Sequence, residues 1–375
     1  MPAVHNVLVV GGGVAGAASA TLLAAAGVPV DLIEIKPDVT ALGSGITLQG
    51  NALRVLDHLG VLDECISVGH PFTTLTVRAP DAEGTVLTTI NSAPTGGPGV
   101  PPTMGMYRPD LARILMARAE QAGVKTRFST TITTLTQRDN GVDVRFSDGT
   151  STHYDLVIAA DGLRSPTRRM LGVQLETRST GLGIWRVFAP RPVEATGAEL
   201  RYGGNCYYSG YTPTSWTTLY VHLTEDAQDR SELTPEEKIA TVHELSAGYH
   251  GPWDEIRDSL DDATIHYTWA ETHLLDAPWN RGRVVLIGDA SHTCPPTIAQ
   301  GAAMGLEDAL VLSELLIDSD RVDERLWEAF GERRYDRVKT VVDESNQLAQ
   351  WQLDRVSGDV PALMARIAEL VSVEP

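Results

Sequence analysis

The stretch VLVVGGGVAGAASATLLAAAGVPV, residues 7–30, carries no charged side chain and decides the fold of this chain. Its length would suit a membrane span, but its internal pattern favours a different structure. Residues 7–10 are typical of a buried strand, a glycine-rich turn follows, and an Ala- and Leu-rich segment typical of a helix ends at Gly27. Residues 1–6 contain neither Lys nor Arg, with which a secretion signal begins. The pattern therefore argues against a membrane segment and against a signal peptide.

The glycines between the first strand and the helix have a spacing with a chemical meaning. Gly11, Gly13 and Gly16 follow the pattern G-x-G-x-x-G, and a second strand over 28–33 closes with Glu34. The first glycine permits a tight turn, the second lets backbone approach a pyrophosphate, and the third lets helix and strand pack closely. An acid at the end of the second strand binds a ribose hydroxyl. The strand, the helix and the acid together predict a dinucleotide-binding β-α-β unit.

The composition excludes several classes of partner. Thirty basic against 49 acidic residues give the 375-residue chain a net charge of −19, which argues against nucleic acid or a stable membrane association. Cys65, Cys206 and Cys294 are far apart and form no C-x-x-C pair. We therefore expect neither a disulfide framework nor a thiolate metal site, and we expect a cytoplasmic location.

Beyond this unit, apolar periodicity, turn residues and helix caps predict the remaining elements. They are helices over 51–60 and 108–123, a Pro/Gly-rich loop over 92–103, short strands over 124–147, buried strands over 155–162 and 282–290, three or four strands over 180–223, a helix capped by Thr234, and helices from about residue 300 onward. Strands that end in Gly or Asp-Gly recur near residues 10, 161 and 288, and a β-rich segment separates the second from the third. This order predicts an α/β fold in which a β-sheet domain is inserted into a split nucleotide domain.

The expected boundaries follow from these elements. We expect the nucleotide domain over residues 1–72, 104–172 and 281–320, the β-sheet substrate domain over 73–103 and 173–280, and C-terminal helices over 321–375.

A second motif, GDASHTCPPTIAQGAAMGLEDAL over residues 288–310, indicates which nucleotide is bound. A resident flavin needs contacts to its ribityl chain and ring from distant parts of the chain. Asp289 ends a strand, where its carboxylate can accept hydrogen bonds from ribityl hydroxyls. Residues 300–302 open a helix, whose free N–H groups suit the negative charge of a reduced flavin ring. His292 and Cys294 could suggest a metal or a nucleophile, but no other spaced ligands accompany them, and loop packing is the simpler interpretation.

With these motifs in this order, the chain resembles the FAD-dependent aromatic hydroxylases, which are single-component group A flavoprotein monooxygenases, and more narrowly their salicylate-hydroxylase-like branch. The resemblance covers nearly the whole length and implies a Rossmann-type FAD-binding domain. It is carried by VVGGGVAG with Glu34, GSGITLQGNALRVLDHLG, YRPDLARILMARA, DLVIAADGLRSPTRR and GRVVLIGDASHTCPPTIAQGAAMGLEDA.

The resemblance also implies which residues bind FAD. These are Gly11, Gly13, Val14, Ala15, Gly16, Glu34, Ile35, Lys36, Gly45, Arg108, Asp161, Gly288, Asp289, Pro296, Gly301, Ala302 and Ala303. Two simpler roles remain open: Arg108 could pair with acids at a helix start, and Asp161 could cap the following turn. The chain departs from the family pattern at Ala299, where glycine is common and where alanine tolerates a positive φ poorly, and at Ala303, where asparagine is frequent.

The activity implied by the resemblance has two halves. NADH or NADPH reduces FAD, and O2 then forms a flavin hydroperoxide that hydroxylates an electron-rich aromatic or heteroaromatic small molecule, with Pro296 beside the reacting ring. No second G-x-G-x-x-G follows a strand, so the nicotinamide cofactor would visit transiently. The alternatives are a related FAD monooxygenase that performs epoxidation, N-oxygenation or natural-product tailoring, a flavin-dependent halogenase, and a flavin-binding sensor. We expect a monomer or homodimer without a metal.

The stretch TTLYVHL, residues 217–223, predicts part of the substrate site. Strand alternation places Tyr220 and His222 on one face and the aliphatic residues on the other. A tyrosine and a histidine suit a flat ring with a polar substituent, and the histidine could accept a phenolic proton as a catalytic base. We expect Trp185, Arg186, Tyr207 and Tyr208 to complete this wall, with Arg186 favouring a carboxylate or enolate if it points inward. The alternative is a face that is solvated or buried against another chain.

Overall fold

The structure is a computed structural model that describes residues 2–39 and 44–375. Gly43, the first residue of the motif GSGITLQGNALRVLDHLG, lies outside the described residues. The strands are β1 (Val7–Val10), β2 (Val30–Ile33), β3 (Gly45–Gln49), β4 (His70–Phe72), β5 (Thr74–Arg78), β6 (Val86–Asn91), β7 (Thr103–Tyr107), β8 (Lys125–Arg127), β9 (Ile132–Arg138), β10 (Gly141–Phe146), β11 (Ser151–Tyr154), β12 (Leu156–Ala159), β13 (Arg178–Pro190), β14 (Ala198–Tyr202), β15 (Tyr208–Pro213), β16 (Thr218–Asp226), β17 (Ile265–Leu274), β18 (Asn280–Arg281), β19 (Val284–Leu286) and β20 (His292–Thr293).

Every predicted helix is present. The helices are α1 (Val14–Ala25), α2 (Gly50–His58), α3 (Leu62–Val68), α4 (Arg108–Gln121), α5 (Pro166–Met170), α6 (Pro235–Ser246), α7 (Pro252–Asp258), α8 (Gly301–Asp318), α9 (Glu324–Leu353) and α10 (Val360–Ser372). The short helices α3, α5 and α7 are additional to the prediction. Short 3-10 helices lie at Asp262–Thr264, Gly288–Ala290 and Pro296–Ile298. Among the described residues, no helix is long and apolar enough to cross a membrane.

The apolar stretch that opened the sequence forms the centre of a six-stranded sheet. Its strand order is β18-β19-β12-β1-β2-β8, and β1 runs parallel to both β2 and β12. All four residues of β1 are buried, because both faces of this parallel strand are covered. Val7 and Val9 pack with helices α1, α4 and α8, whereas Leu8 and Val10 pack with a three-stranded sheet of order β11-β10-β9. The predicted α/β fold with a parallel nucleotide-binding sheet and helices at the C-terminal end is confirmed.

The β-rich segment forms an eight-stranded sheet with the order β20-β17-β13-β16-β15-β14-β5-β6. Its main body comes from two separate stretches of chain, because β5 and β6 precede α4 whereas β13 to β17 follow β12, and the edge strand β20 is added from a third stretch, after β19. A buried carboxylate joins the two stretches: Glu199 accepts hydrogen bonds from Arg78 Nε at 2.7 Å, Arg201 Nε at 2.8 Å and the Tyr211 hydroxyl at 2.9 Å. This satisfied carboxylate holds β5 against β14 and β15.

The two faces of the eight-stranded sheet differ. Leu219, Val221 and Leu223 of β16 are fully buried in a cluster that includes Val242 of α6 and Trp253 of α7. The predicted packing of the aliphatic face of this strand on helices is therefore confirmed. The opposite face points towards β3, which belongs to a separate three-stranded sheet of order β3-β7-β4.

Candidate cofactor and substrate site

The glycine loop after β1 has a shape that side chains would prevent. Gly11 has φ +101°, and a Cβ there would lie 2.5 Å from the carbonyl oxygen of Ala160. A Cβ at Gly16 would lie 1.9 Å from the carbonyl oxygen of Gly11, so this position admits no side chain. Gly13 caps α1, and a Cβ there would meet no atom within 4 Å. The loop therefore leaves an open approach for a phosphate at the positive end of α1, beside Val14 and Ala15.

Glu34 is fixed beside this loop. Its Oε2 accepts a hydrogen bond from the backbone N–H of Gly12 at 2.8 Å, and its Oε1 accepts one from the N–H of Lys36 at 2.9 Å. These bonds orient the carboxylate and leave further lone pairs for a ribose hydroxyl. Ile35 and Lys36 follow it on the surface.

Asp289 lies on a short turn after β19, opposite the glycine loop. Gly288 makes the turn with φ +58°, and a Cβ there would lie 3.2 Å from Cβ of Ala15. The Asp289 side chain is exposed to solvent. Many protein atoms nevertheless surround its carboxyl, and this partial desolvation raises the pKa, whereas His292 and Arg108 act to lower it. Both observations fit a carboxylate in the wall of a deep, open cleft.

Arg108 begins α4 and reaches the same cleft. Burial lowers the pKa of its guanidinium, as does the nearby Arg186, whereas Tyr220 and Asp289 act in the opposite direction. Its Nε is buried without a hydrogen-bond partner among the described residues, and no acid of the described chain forms an ion pair with it. A buried N–H needs an acceptor, so this orphaned donor fits an oxygen-rich cofactor. The simpler role, pairing at the helix start, is not seen.

The loop before α8 contains the departure from the family pattern. Ala299 adopts the left-handed conformation with φ +54° and ψ +38°, so the loop keeps the conformation of a glycine despite its side chain. Pro296 at its start is exposed, and Gly301 and Ala302 are partly exposed where α8 begins. Ala303 is 1% exposed and belongs to the core, so it can offer a cofactor only its backbone.

A polar network that the sequence motifs do not reveal holds this loop. Gln300 is buried, and its Nε2 donates to Gln49 Oε1 at 2.8 Å, while Asn51 Nδ2 donates to Gln300 Oε1 at 3.0 Å. Gln49 Nε2 also donates to the carbonyl oxygen of Ile298 at 2.6 Å. In the sequence, the only signal of this network is the presence of two polar residues, Gln49 and Asn51, where β3 ends and α2 begins.

Asp161 is engaged locally. Ser165 Oγ donates to its Oδ1 at 2.5 Å and the N–H of Thr167 donates to its Oδ2 at 2.9 Å. The capping role that the sequence left open is therefore the role that these contacts display, and contact of Asp161 with FAD stays a prediction.

Three of the predicted substrate residues face one another across neighbouring strands. Arg186 of β13 lies directly opposite His222 of β16, and Phe188 lies opposite Tyr220. The rings of Tyr208 and His222 are 5.5 Å apart. Burial and then Arg186 lower the pKa of His222 to about 4. At neutral pH this histidine is therefore an uncharged hydrogen-bond partner, and its predicted role as acceptor of a phenolic proton stays a prediction.

Trp185 and Tyr207 do not reach this surface. Trp185 is 1% exposed and packs in the cluster under the opposite face, with its Nε1 donating to Glu225 Oε1 at 2.9 Å. Neighbouring residues of a strand point to opposite faces, so Arg186 and Trp185 cannot both line the wall. The Tyr207 hydroxyl donates to Asp226 Oδ1 at 2.5 Å near the surface, and Arg355 lies over its ring. Of the two predicted tyrosines, Tyr208 is the one whose ring lies beside His222.

Behind the cleft lies a buried set of charges. Glu307, Asp308 and Arg334 are fully buried, and Arg334 donates to both acids at 2.8 Å. His292 Nε2 lies 2.7 Å from Asp308 Oδ2. Burial alone would raise the pKa of Asp308, but His292 and Arg334 lower it to about 2. His292 is thus part of an ion-pair network, and within residues 2–39 and 44–375 no group of three His, Cys, Asp or Glu could hold a metal ion.

The glycine loop, the carboxylate of Glu34, the Asp289 turn and Arg108 with its unpartnered Nε together fit a flavin nucleotide. The family model of the FAD binding domain matches residues 5–345, and the chain belongs to this family, as an FAD-dependent monooxygenase of the aromatic hydroxylase type. The predicted family and the predicted FAD are confirmed.

Known proteins resemble this chain over nearly its whole length. The 2-heptyl-3-hydroxy-4(1H)-quinolone synthase of Pseudomonas aeruginosa is 32% identical over 362 residues, which cover 92% of this chain and 90% of the relative. The 6-hydroxynicotinate 3-monooxygenase of Bordetella bronchiseptica is 29% identical over 360 residues, 92% of each chain. HpxO of Klebsiella pneumoniae, solved with FAD and uric acid, has the same fold, with a TM-score of 0.83, 24% identity, and coverage of 98% of this chain and 92% of that one.

Proposed function

We propose that this enzyme uses NADH or NADPH and O2 to hydroxylate a planar, electron-rich heteroaromatic molecule that carries an anionic group. The observation that carries the proposal is the juxtaposition of Arg186, His222 and Tyr220 on one sheet face, within electrostatic reach of Arg108. When bound, FAD supplies the redox chemistry, accepting electrons from the nicotinamide and activating O2.

The charges of this face select the substrate class. Burial, and after it the repulsion from Arg186, lowers the pKa of Arg108, and His222, whose pKa is lowered to about 4, adds no charge at neutral pH. A carboxylate or an ionised ring hydroxyl would relieve this repulsion and accept hydrogen bonds from Arg186. Ionising a ring hydroxyl also makes the ring richer in electrons, so binding the anion would prepare the ring for oxygenation.

The aromatic side chains on this face suit a flat ring. The rings of Tyr107 and Phe188 are 4.2 Å apart, and Tyr208, Tyr220 and His222 form a continuous group. Such surfaces offer apolar area together with hydroxyl groups that orient a substituent. Two relatives support a heteroaromatic substrate, because their names specify a hydroxylated quinolone as product and 6-hydroxynicotinate as substrate.

A basic cleft near α5 supports the use of a nicotinamide dinucleotide. The cleft has a volume of about 410 Å³ and is lined by Arg164, Arg168 and Arg169. Arg168 is buried and Arg164 donates to Glu271 at 2.6 Å, so the exposed Arg169 is the arginine that would meet a phosphate, in a chain whose net charge is −19. Arg168 also donates to the carbonyl oxygen of Ala290, next to Asp289, at 2.7 Å. We propose that the phosphates of NADH or NADPH dock here transiently.

Two further parts of the proposal concern the setting of the enzyme. Cys65, Cys206 and Cys294 are unpaired, which supports a reducing compartment, the cytoplasm. We also propose a monomer or homodimer, which sedimentation of the purified protein would test.

The decisive experiment measures NADH and NADPH oxidation by the FAD-loaded enzyme with a panel of heteroaromatic acids and hydroxylated rings, each matched with its uncharged ester or ether. We expect the anionic members to stimulate oxidation and to give a product heavier by one oxygen atom, labelled when 18O2 is used. NMR of the product separates ring hydroxylation from epoxidation or N-oxygenation, and a halide-dependent mass gain would identify a halogenase. Stimulation by uncharged members alone would reject the anionic substrate.

A further inference from the structure

The turn that carries Asp289 is held by side chains from three distant segments of the chain. The N–H of Gly288 donates to Asp308 Oδ2 at 2.9 Å. The carbonyl oxygen of Asp289 lies 3.1 Å from His273 Nε2, and the carbonyl oxygen of Ala290 accepts from Arg168 Nη1 at 2.7 Å. Three consecutive residues of a short turn are therefore fixed through their backbone, by side chains of α8, β17 and α5.

His273 makes its contact only when Nε2 carries a proton. A carbonyl oxygen only accepts hydrogen bonds, so Nε2 must carry the proton. Its Nδ1 lies 2.8 Å from the hydroxyl of Thr177, which can donate to it. His273 is 4% exposed, and burial lowers its pKa to about 4, so the neutral ring with the proton on Nε2 persists at neutral pH.

Arg168 connects the turn to the Asp-Gly motif. Its side chain is buried, with Nη1 on the carbonyl oxygen of Ala290 and Nη2 on that of Leu163 at 2.9 Å. Its backbone N–H donates to Ser165 Oγ, which itself donates to Asp161. Asp161 thus anchors the short helix whose arginine reaches across to the Asp289 turn.

Asp308 holds the turn from behind. The carboxylate also bonds His292 at 2.7 Å and Arg334 at 2.8 Å, so it cannot swing away from Gly288 without breaking a buried network. None of the three holding side chains is on the turn itself, and each already has its own second partner.

We propose that Arg168, His273 and Asp308 are positioning residues that fix the carboxylate of Asp289 for the ribityl chain of FAD, each through one backbone group of the turn from Gly288 to Ala290. His273 belongs to the strand that pairs with β13, where Arg186 lies opposite His266. The same clamp therefore ties the flavin site to the substrate sheet. The inference rests on the proposed role of Asp289 and is independent of the substrate.

The test compares His273→Leu with His273→Gln in the full-length protein. Glutamine can place an N–H where Nε2 of the histidine lies, whereas leucine cannot. We expect His273→Leu to weaken FAD binding about twofold to tenfold, the effect of one lost hydrogen bond, and to change the visible circular dichroism of bound FAD. His273→Gln should restore most of both. The Kd is measured by quenching of FAD fluorescence on addition of apoprotein.

The matched control is His70→Leu, because His70 is also a buried histidine but lies on β4, away from the turn. It should lower the melting temperature and leave the FAD Kd and the dichroism unchanged. If His273→Leu does not fold, Arg168→Gln provides a second test. The glutamine side chain is too short to reach the carbonyl oxygen of Ala290, so this variant should weaken FAD binding to the same degree.

Two results would overturn the inference. If Leu and Gln at position 273 give the same FAD Kd and dichroism as the unchanged protein while Asp289→Ala weakens binding, the clamp is wrong and the role of Asp289 stands. If Asp289→Ala itself leaves FAD binding unchanged, both the positioning role of the three side chains and the FAD-binding role of Asp289 are wrong. Neither result depends on finding a substrate, so failure of the proposed hydroxylation is recognised separately.

Discussion

Tyr220 of the substrate sheet packs directly against Gly45 of β3: a Cβ added at Gly45 would lie 2.2 Å from Cβ of Tyr220. Another glycine supports the same seam, because a Cβ at Gly105 of β7 would lie 2.1 Å from the carbonyl oxygen of Pro213. The two sheets therefore approach to backbone distance where the predicted FAD and substrate residues meet. Gly45 is in this respect a packing residue, and its predicted contact with FAD stays a prediction.

We expect Gly45→Ala to destabilise the protein by about 1–3 kcal/mol, because the new methyl group must push Tyr220 away from the seam. Urea unfolding at constant FAD concentration measures the change. Gly248→Ala is the control, since a Cβ at that position would meet no atom within 4 Å. Equal stabilities of the two variants would show that the seam can open without cost.

Ala299→Gly should stabilise the protein by about 0.5–1 kcal/mol. Ala299 has φ +54°, a conformation that costs an L-residue about 1–2 kcal/mol. Glycine avoids this cost, but its greater conformational freedom in the unfolded chain offsets part of the gain. Ala247→Gly, at φ −56°, should have the opposite sign. Thermal unfolding of both variants checks the pair, and destabilisation by Ala299→Gly would contradict the strained loop.

The folding stability should fall as the pH drops from about 6.5 to about 4. The pKa values of His222 and His273 are each lowered to about 4, below the value of about 6.5 in an unfolded chain. Above pH 6.5 each histidine is neutral in both the folded and the unfolded chain. Between pH 6.5 and pH 4 only the unfolded chain gains the proton, which lowers the free energy of unfolding by about 2 kcal/mol per histidine at pH 5. Urea midpoints at pH 7 and pH 5 measure this loss.

His222→Gln should remove about half of that pH dependence, whereas His243→Gln, on an exposed position of α6, should leave it intact. An unchanged slope in His222→Gln would mean that this ring takes up its proton in the native protein.

Arg186→Gln should raise the KM for an anionic heteroaromatic substrate about tenfold to a hundredfold, since a hydrogen bond to a charged group contributes about 1.5–3 kcal/mol. FAD content should not change. Tyr220→Phe and His222→Ala, made separately, should increase the share of reduced cofactor lost as hydrogen peroxide. Arg145→Gln, exposed on β10, is the control, and a KM unchanged in Arg186→Gln would remove this residue from the pocket.

Arg169→Ala should raise the KM for NADH or NADPH at least about threefold through loss of one partly screened phosphate contact, with little change in FAD affinity. The control is Arg321→Ala, whose side chain is 79% exposed beyond α8. Stopped-flow reduction of the bound flavin at varied NADH and NADPH separates docking from the later steps. Equal half-saturation in both variants would argue against the basic cleft as the docking site.

Local signals allowed most of the fold to be predicted. The glycine loop and the capping box of Thr234 each act within a few residues, and the structure shows both bonds of that box, from Glu237 N to Thr234 Oγ1 and from Thr234 N to Glu237 Oε2. Strand alternation also predicts the correct division of β16 into an aliphatic and a polar face.

The errors in the site have a geometric cause. Alternation shows which residues share a face, but not which face meets the cofactor, so the prediction for Trp185 falls on the wrong side of β13. Tyr207 lies just before β15 begins, where alternation carries no information. The hold of Arg168 on Ala290 joins residues 122 positions apart, and no local pattern in a single sequence reports such a contact.

The order in which the strands pair has a consequence for synthesis of the enzyme. β12 and β19 are neighbours in the nucleotide-binding sheet, although the chain between them forms most of the other sheet. A ribosome therefore releases the phosphate loop and Glu34 long before it releases the Asp289 turn and α8. A nascent chain arrested after β12 should fail to retain FAD, because the predicted flavin contacts of the Asp289 turn and α8 are still unmade. We therefore expect FAD to bind only after α8 has left the ribosome.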